Sequence, residues 1–123
     1  MLGSTSLVAF VATTDGARAR QFYGETLGLK IVSDDPYALV CDVAGIPLRI
    51  QKIGTLSPQP FTALGWEVSD IAQTIDGLTG HGVKFERFEG MDQDARGIWT
   101  APSGARVAWF KDPDGNTLSL TQL

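Results

Sequence analysis

The same short pattern occurs twice in this chain, and that repeat limits the fold more than any other feature. In each half a strand-like apolar run is followed by an aspartate, an amphipathic segment and a glycine stop. Asp15 precedes Gly28-Leu29-Lys30-Ile31 by thirteen residues, and Asp70 precedes Gly82-Val83-Lys84-Phe85 by twelve. Aspartate oxygens can accept the free amides of a first helical turn. Glycine suits the left-handed position that ends a helix. Between these marks, Ala19, Phe22, Tyr23 and Leu27 fall at near-helical spacing in the first half, and Ile71, Ile75 and Leu78 do so in the second.

The remaining segments read as strands. In the first half they cover 7–12, 29–33, 37–43 and 46–53, broken by Pro36 and by the Ala44-Gly45 pair. In the second half they cover 62–68, 83–88, 106–111 and 117–122, with a loop at 90–94 and a short extended segment at 97–101 around Trp99. Asp112-Pro113-Asp114-Gly115-Asn116 reads as a tight turn rather than a calcium loop, because it lacks the further oxygen ligands that calcium needs. Only two helices are visible, so a duplicated unit is a better account than a doubly wound parallel sheet. The expected fold is α+β, with two βαβββ modules at about 6–53 and 62–122 joined by a proline-containing linker at 54–61. The modules are expected to form a curved, cup-like sheet with the helices on its outer side, within a single domain spanning 1–123.

Composition narrows the function classes. With 123 residues, 43% apolar and 20% charged, the chain can build a core without staples. Ten basic against fourteen acidic residues argue against a nucleic-acid duplex or an anionic membrane as the main partner. No apolar run approaches the ~20 residues that span a bilayer. The start of the chain lacks the basic and apolar stretches of a signal peptide, so cytoplasmic residence is expected. The single Cys41 excludes an internal disulfide and reads as a small buried hydrophobe; the single histidine, His81, reads as an exposed loop residue or helix cap.

Two motifs then become specific. Phe22-Tyr23-Gly24-Glu25-Thr26-Leu27-Gly28-Leu29 resembles the first-helix signature of the vicinal oxygen chelate superfamily, which includes glyoxalase I, bleomycin-resistance proteins, fosfomycin-resistance enzymes and extradiol dioxygenases. Trp109-Phe110-Lys111-Asp112-Pro113-Asp114-Gly115-Asn116 resembles the hairpin near the C-terminus of that family. The resemblance covers about residues 6–122. Fold follows from it more firmly than function, because one fold hosts many activities.

Chelating members of the superfamily hold a divalent metal with His, Glu or Gln side chains from both modules. By alignment on Asp15, those positions fall on Val8, Arg49 (with Gln51 on the same face), Ala63 and Ser119. None carries an imidazole or carboxylate, so the resemblance points to a member without the metal ligands, and neither metal nor cofactor is expected. Strand alternation, with the cup face chosen by those aligned ligand positions, directs Val8, Phe10, Ala12, Arg49, Gln51, Gly65 and Glu67 into the cup. From the closing hairpin it directs Val107, Trp109, Thr117, Ser119 and Thr121 the same way, and a one-residue slip would reverse every face.

Phe10, Arg49, Gln51, Glu67, Trp109, Ser119 and Thr121 are therefore the candidate ligand-binding residues. Apolar rings with a few placed polar groups are the usual lining of a small-molecule pocket. Arg49 and Glu67 keep two readings open, a functional pair or a pair that neutralises itself. The leading expectation is a metal-independent protein that binds a small organic molecule, aromatic or cationic, as bleomycin-resistance proteins sequester a drug. A metal-free isomerase or lyase with Glu67 as base is the alternative, and an accessory subunit contacting a protein partner is the third. The resemblance also implies a homodimer.

Overall fold

A computed structural model describes residues 1–123, and it divides into two compact units, Met1–Ser57 and Pro58–Leu123. The first contains β1 (Ala9–Thr13), α1 (Gly16–Arg20), β2 (Lys30–Asp34), β3 (Ala38–Val43) and β4 (Ile46–Lys52). The second contains β5 (Thr62–Glu67), α2 (Ile71–Gly80), β6 (Trp99–Thr100), β7 (Arg106–Lys111) and β8 (Thr117–Gln122). Each unit has one open four-stranded sheet, ordered β1-β4-β3-β2 and β5-β8-β7-β6. The first strand of each lies parallel to the last, and the other pairings are antiparallel. Both units are thus βαβββ modules, and the α+β class read from the repeat is the class observed.

The two caps have nearly the same conformation. Asp15, at φ −144° and ψ 98°, accepts from the Arg18 amide at 3.1 Å. Asp70, at φ −138° and ψ 93°, accepts from the Gln73 amide at 3.0 Å. Extended backbone at the cap lets the carboxylate reach amides that the helix leaves unpaired.

The first helix departs from its expected regular course. After Arg20 it widens into a π-helical turn over Gln21–Thr26. There the Leu27 amide reaches Phe22 O at 2.9 Å. The apolar stripe survives the change, since Ala19 and Tyr23 are both buried. Gly24 suits it: a Cβ there would stand 2.7 Å from Ile31 Cδ1, so glycine lets the wide turn lie against β2 without moving that side chain.

The strand expected at 83–88 is not one. Phe85 forms only an isolated bridge with Phe110, and the pairing role on β7 falls to Trp99–Thr100, the segment expected to be merely extended. The reason is Gln93. Its Nε2 donates to Glu86 O at 3.0 Å and Gly97 O at 2.8 Å, while its Oε1 accepts from the Phe88 amide at 2.8 Å. One side chain thereby takes up backbone groups that a ladder would otherwise use.

Alternation gives each sheet a helix-packed face. Val11, Leu39, Cys41, Leu48 and Ile50 are buried with Ala19 and Tyr23 in the first unit. In the second, Ala108, Phe110, Leu118 and Leu120 are buried with Ile71 and Ile75, and Trp66 stacks on Phe110 with ring centres 6.4 Å apart. Each large side chain removed from water in these layers contributes about 1.5–3 kcal/mol. Cys41 lies in this core, where burial raises its thiol above the ordinary range. The β7–β8 connection is the expected turn: Asp112 Oδ1 accepts from the amides of Asp114 and Asn116 at 3.0 and 2.9 Å.

Candidate functional site

The faces opposite the two cores carry the residues singled out from sequence. In the first unit Phe10 pairs with Arg49 and Ala12 with Gln51. Phe10 is 51% exposed on the edge strand β1, Arg49 is half-buried and Gln51 is exposed. Asp35 is held below the usual carboxylate range, first by the amides of Ala38 and Tyr37 that it accepts and then by the positive charges of Arg49 and Lys52.

In the second unit Trp109 pairs with Ser119, which also pairs with Gly65; Thr121 pairs with both Val107 and Glu67. Ser119 is buried with its hydroxyl over Gly65, where a Cβ would stand 2.5 Å from Ser119 Oγ. Glu67 is exposed at the end of β5 and lines a separate shallow groove with Ser69 and Gln122. The predicted set therefore divides, with Phe10, Arg49 and Gln51 on the first unit and Glu67, Trp109, Ser119 and Thr121 on the second. Of these, Trp109 alone lines the concavity described next.

That concavity has a volume of about 490 Å³ and lies entirely within the second unit. Its floor is the β7–β8 face, with Trp109, Lys111 and Thr117. One wall is the segment entering β5, where Pro58 packs onto Gly115; a Cβ on that glycine would come within 3.2 Å of Pro58 Cγ. The other wall is the loop fastened by Gln93, which contributes Phe88 and Met91. Phe88 meets the Trp109 ring edge-on, with centres 5.5 Å apart and planes at 86°. Trp99 lies on Trp109 at 6.2 Å and 36°, and Trp109 Nε1 donates to Thr62 Oγ1 at 3.1 Å.

Sequence reasoning missed most of this lining. Phe61 ends the stretch read only as a linker, Thr62 opens the strand expected after it, and Phe88 sits in the segment read as a strand. Met91 falls in a loop to which no role was attached. Lys111 was within reach, since the alternation that assigns Trp109 extends two residues further to it. Thr117, its partner across the ladder, was on the expected face.

The positions that the resemblance assigns to a metal can be judged by their chemistry. Val8 is exposed ahead of β1, Arg49 is on β4, Ala63 occupies the β5 irregularity between Thr62 and Leu64, and Ser119 is on β8. A divalent ion would find one hydroxyl and a cation among them, a set that does not suit it. No group of three or more His, Cys, Asp and Glu side chains is placed to hold a metal ion. His81 instead caps α2, its Nδ1 lying 2.9 Å from Gly77 O.

Comparison with known proteins agrees with this architecture. Residues 6–120 match the family model described as the Glyoxalase/Bleomycin resistance protein/Dioxygenase superfamily. A superfamily member from Sphaerobacter thermophilus is 25% identical, with a TM-score of 0.73 over 96% of this chain and 98% of its own. A glyoxalase family protein from Enterococcus faecalis gives a TM-score of 0.76 at 19% identity, over 98% and 99% of the two chains. The fosfomycin resistance protein FosX from Listeria monocytogenes gives 0.76 at 12% identity, over 98% and 93%. No curated protein sequence matches this one.

Proposed function

The chain belongs to the glyoxalase/bleomycin resistance protein/dioxygenase superfamily, and we propose that within it this protein binds a small planar organic molecule beside Trp109 without using a metal. The carrying observation is the pocket of about 490 Å³ with Phe61, Phe88, Met91 and Trp109 around it. Its size falls in the range of drug-sized ligand sites, and its apolar rings with a few polar points have the usual composition of such sites. An aromatic ligand laid against the indole would gain both buried area and ring–ring contact. The metal-free part of the reading is supported by the donor chemistry at Val8, Arg49, Ala63 and Ser119.

The alternative, a metal-free isomerase or lyase using Glu67 as base, has less behind it. Glu67 lies outside this pocket, and no side-chain partner orients it, whereas a general base must be held within reach of the proton it takes. No observation favours the accessory-subunit reading.

The test is a thermal-shift screen of planar aromatic compounds, followed by titration of the hits against wild type, Trp109→Ala and Trp66→Phe. Trp109→Ala is expected to weaken binding by about 1–3 kcal/mol. Trp66→Phe, on the core face, is expected to change stability more than affinity. Equal affinity in wild type and Trp109→Ala would place the ligand elsewhere. A companion screen with nickel, zinc, manganese and iron should give no rise in melting temperature, since an ion specific for the folded state would produce one.

A further inference from the structure

Resting on the reading of this pocket as a ligand site, we propose that it selects planar aromatic monoanions over their neutral and cationic counterparts, with Lys111 making the choice. The chain as a whole is acidic, at −4, which taken alone favours a cationic ligand. The pocket is different: Lys111 is the one ionisable side chain in its lining. The ammonium projects from the same face of β7 as Trp109, two residues along, and stands across the ladder from Thr117. A ring lying on the indole therefore places a substituent on its edge within the reach of a long, flexible side chain.

The neighbouring groups leave the ammonium's N–H donors available. Glu86 is its ion-pair partner, but the Nζ to Oε1 separation is 3.6 Å, beyond hydrogen-bond distance, and Glu86 is not part of the lining. An ammonium carries three donors and no acceptor. Thr62 adds to the same polarity. Its oxygen already accepts the Trp109 indole N–H at 3.1 Å, which leaves its own O–H to donate. The lining thus presents donors at the point where a ligand's polar edge would lie, and a carboxylate supplies the acceptors that satisfy them. A cation in the same place would gain from the ring faces but would face the Lys111 charge at close range.

Three probes of one shape separate these cases: 2-naphthoate, 2-naphthamide and 2-naphthylmethylammonium. Binding is followed by the indole N–H resonance of Trp109, identified by its loss in Trp109→Phe. Naphthoate is expected to bind about five- to tenfold more tightly than naphthamide at low salt, a preference that shrinks as salt screens the exposed ammonium. Lys111→Met should bring naphthoate down to the level of naphthamide, and Lys111→Arg should retain the preference. The proposal is overturned, with the pocket itself still standing, if all three probes shift the indole equally. It is overturned in the same way if the ammonium probe binds tightest or if Lys111→Met keeps the preference. If no probe moves the Trp109 resonance, the ligand-site reading falls with it.

Discussion

The indole N–H of Trp109 reaches over β8 to donate to Thr62 Oγ1 at 3.1 Å, joining two strands that are not neighbours in their sheet. Trp109 pairs with Ser119 and Thr62 with Thr117, so the bond runs diagonally across two rungs of the ladder. It fixes the plane of the ring that forms the pocket floor. Thr62→Val keeps the shape of the side chain and removes the acceptor. That substitution should cost about 0.5–1.5 kcal/mol of stability and free the indole to turn. Chemical denaturation reads the first effect, and a change in the Trp109 indole proton shift reads the second. An unchanged shift would mean that the indole N–H does not bond Thr62 in solution.

A second prediction concerns acid. Asp34 accepts from Lys52 Nζ and, at 3.0 Å, from Arg20 Nη1. Lys52 first and Arg20 next hold its carboxyl below the ordinary value of 3.8. A carboxylate whose folded-state pKa is depressed contributes stability that is complete above its unfolded value, near pH 4, and is lost as pH falls through the folded value. Asp34→Asn should therefore lower the melting temperature at pH 7. The gap from wild type should narrow as pH drops below about 4. A gap that stays constant down to about pH 2 would assign the effect to something other than charge.

The β3–β4 hairpin offers a gain rather than a loss. Its two turn residues, Ala44 and Gly45, have φ values of 50° and 86°. Two-residue hairpins favour left-handed backbone at both positions, which glycine and asparagine adopt readily and alanine does not. Ala44→Asn should raise stability by about 0.5–1 kcal/mol, and Ala44→Val should lower it. Equilibrium denaturation of the two variants checks both signs.

A fourth expectation is that the protein is a homodimer. β1 and β5 are edge strands, and the apolar side chains of Val8 and Phe10 in the first unit and Phe61 in the second are 43%, 51% and 63% exposed. Unpaired strand edges with apolar side chains invite association unless something covers them. Light scattering should give about twice the 13.2 kDa chain mass, and Phe10→Glu should shift the population toward monomer. A mass near that of one chain at micromolar concentration would remove the expectation.

Much of the fold was legible because its signals are local. Asp15 and Asp70 announce their helices by chemistry that acts within one turn, and alternation along β7 and β8 assigns Trp109, Ser119 and Thr121 to one face. The π-helical turn was not legible, since it depends on how closely Gly24 approaches Ile31 after folding. Nor was the loss of the 83–88 strand, which follows from the Gln93 side chain turning back onto the backbone of Glu86, Phe88 and Gly97, a local choice that no periodic pattern marks. The pocket suffered for the same reason: two of its walls come from segments that carry no periodic signal. Only the floor, built on regular strands, could be read ahead of the structure.

The π-helical turn at Gln21–Thr26 also means that the first helix holds one residue of slack. A π turn, bonded five residues apart rather than four, holds one residue more than the α-helical turn it replaces. Deleting a single residue within 21–26 would let the segment close to ordinary α-helical winding while Ala19 and Leu29 kept their places. The same deletion in α2, which has no such turn, would rotate one end of its apolar stripe away from the sheet. The two halves of the repeat therefore share a topology but differ in how much change of length each can absorb, and the half with room to spare is the one remote from the Trp109 pocket in sequence.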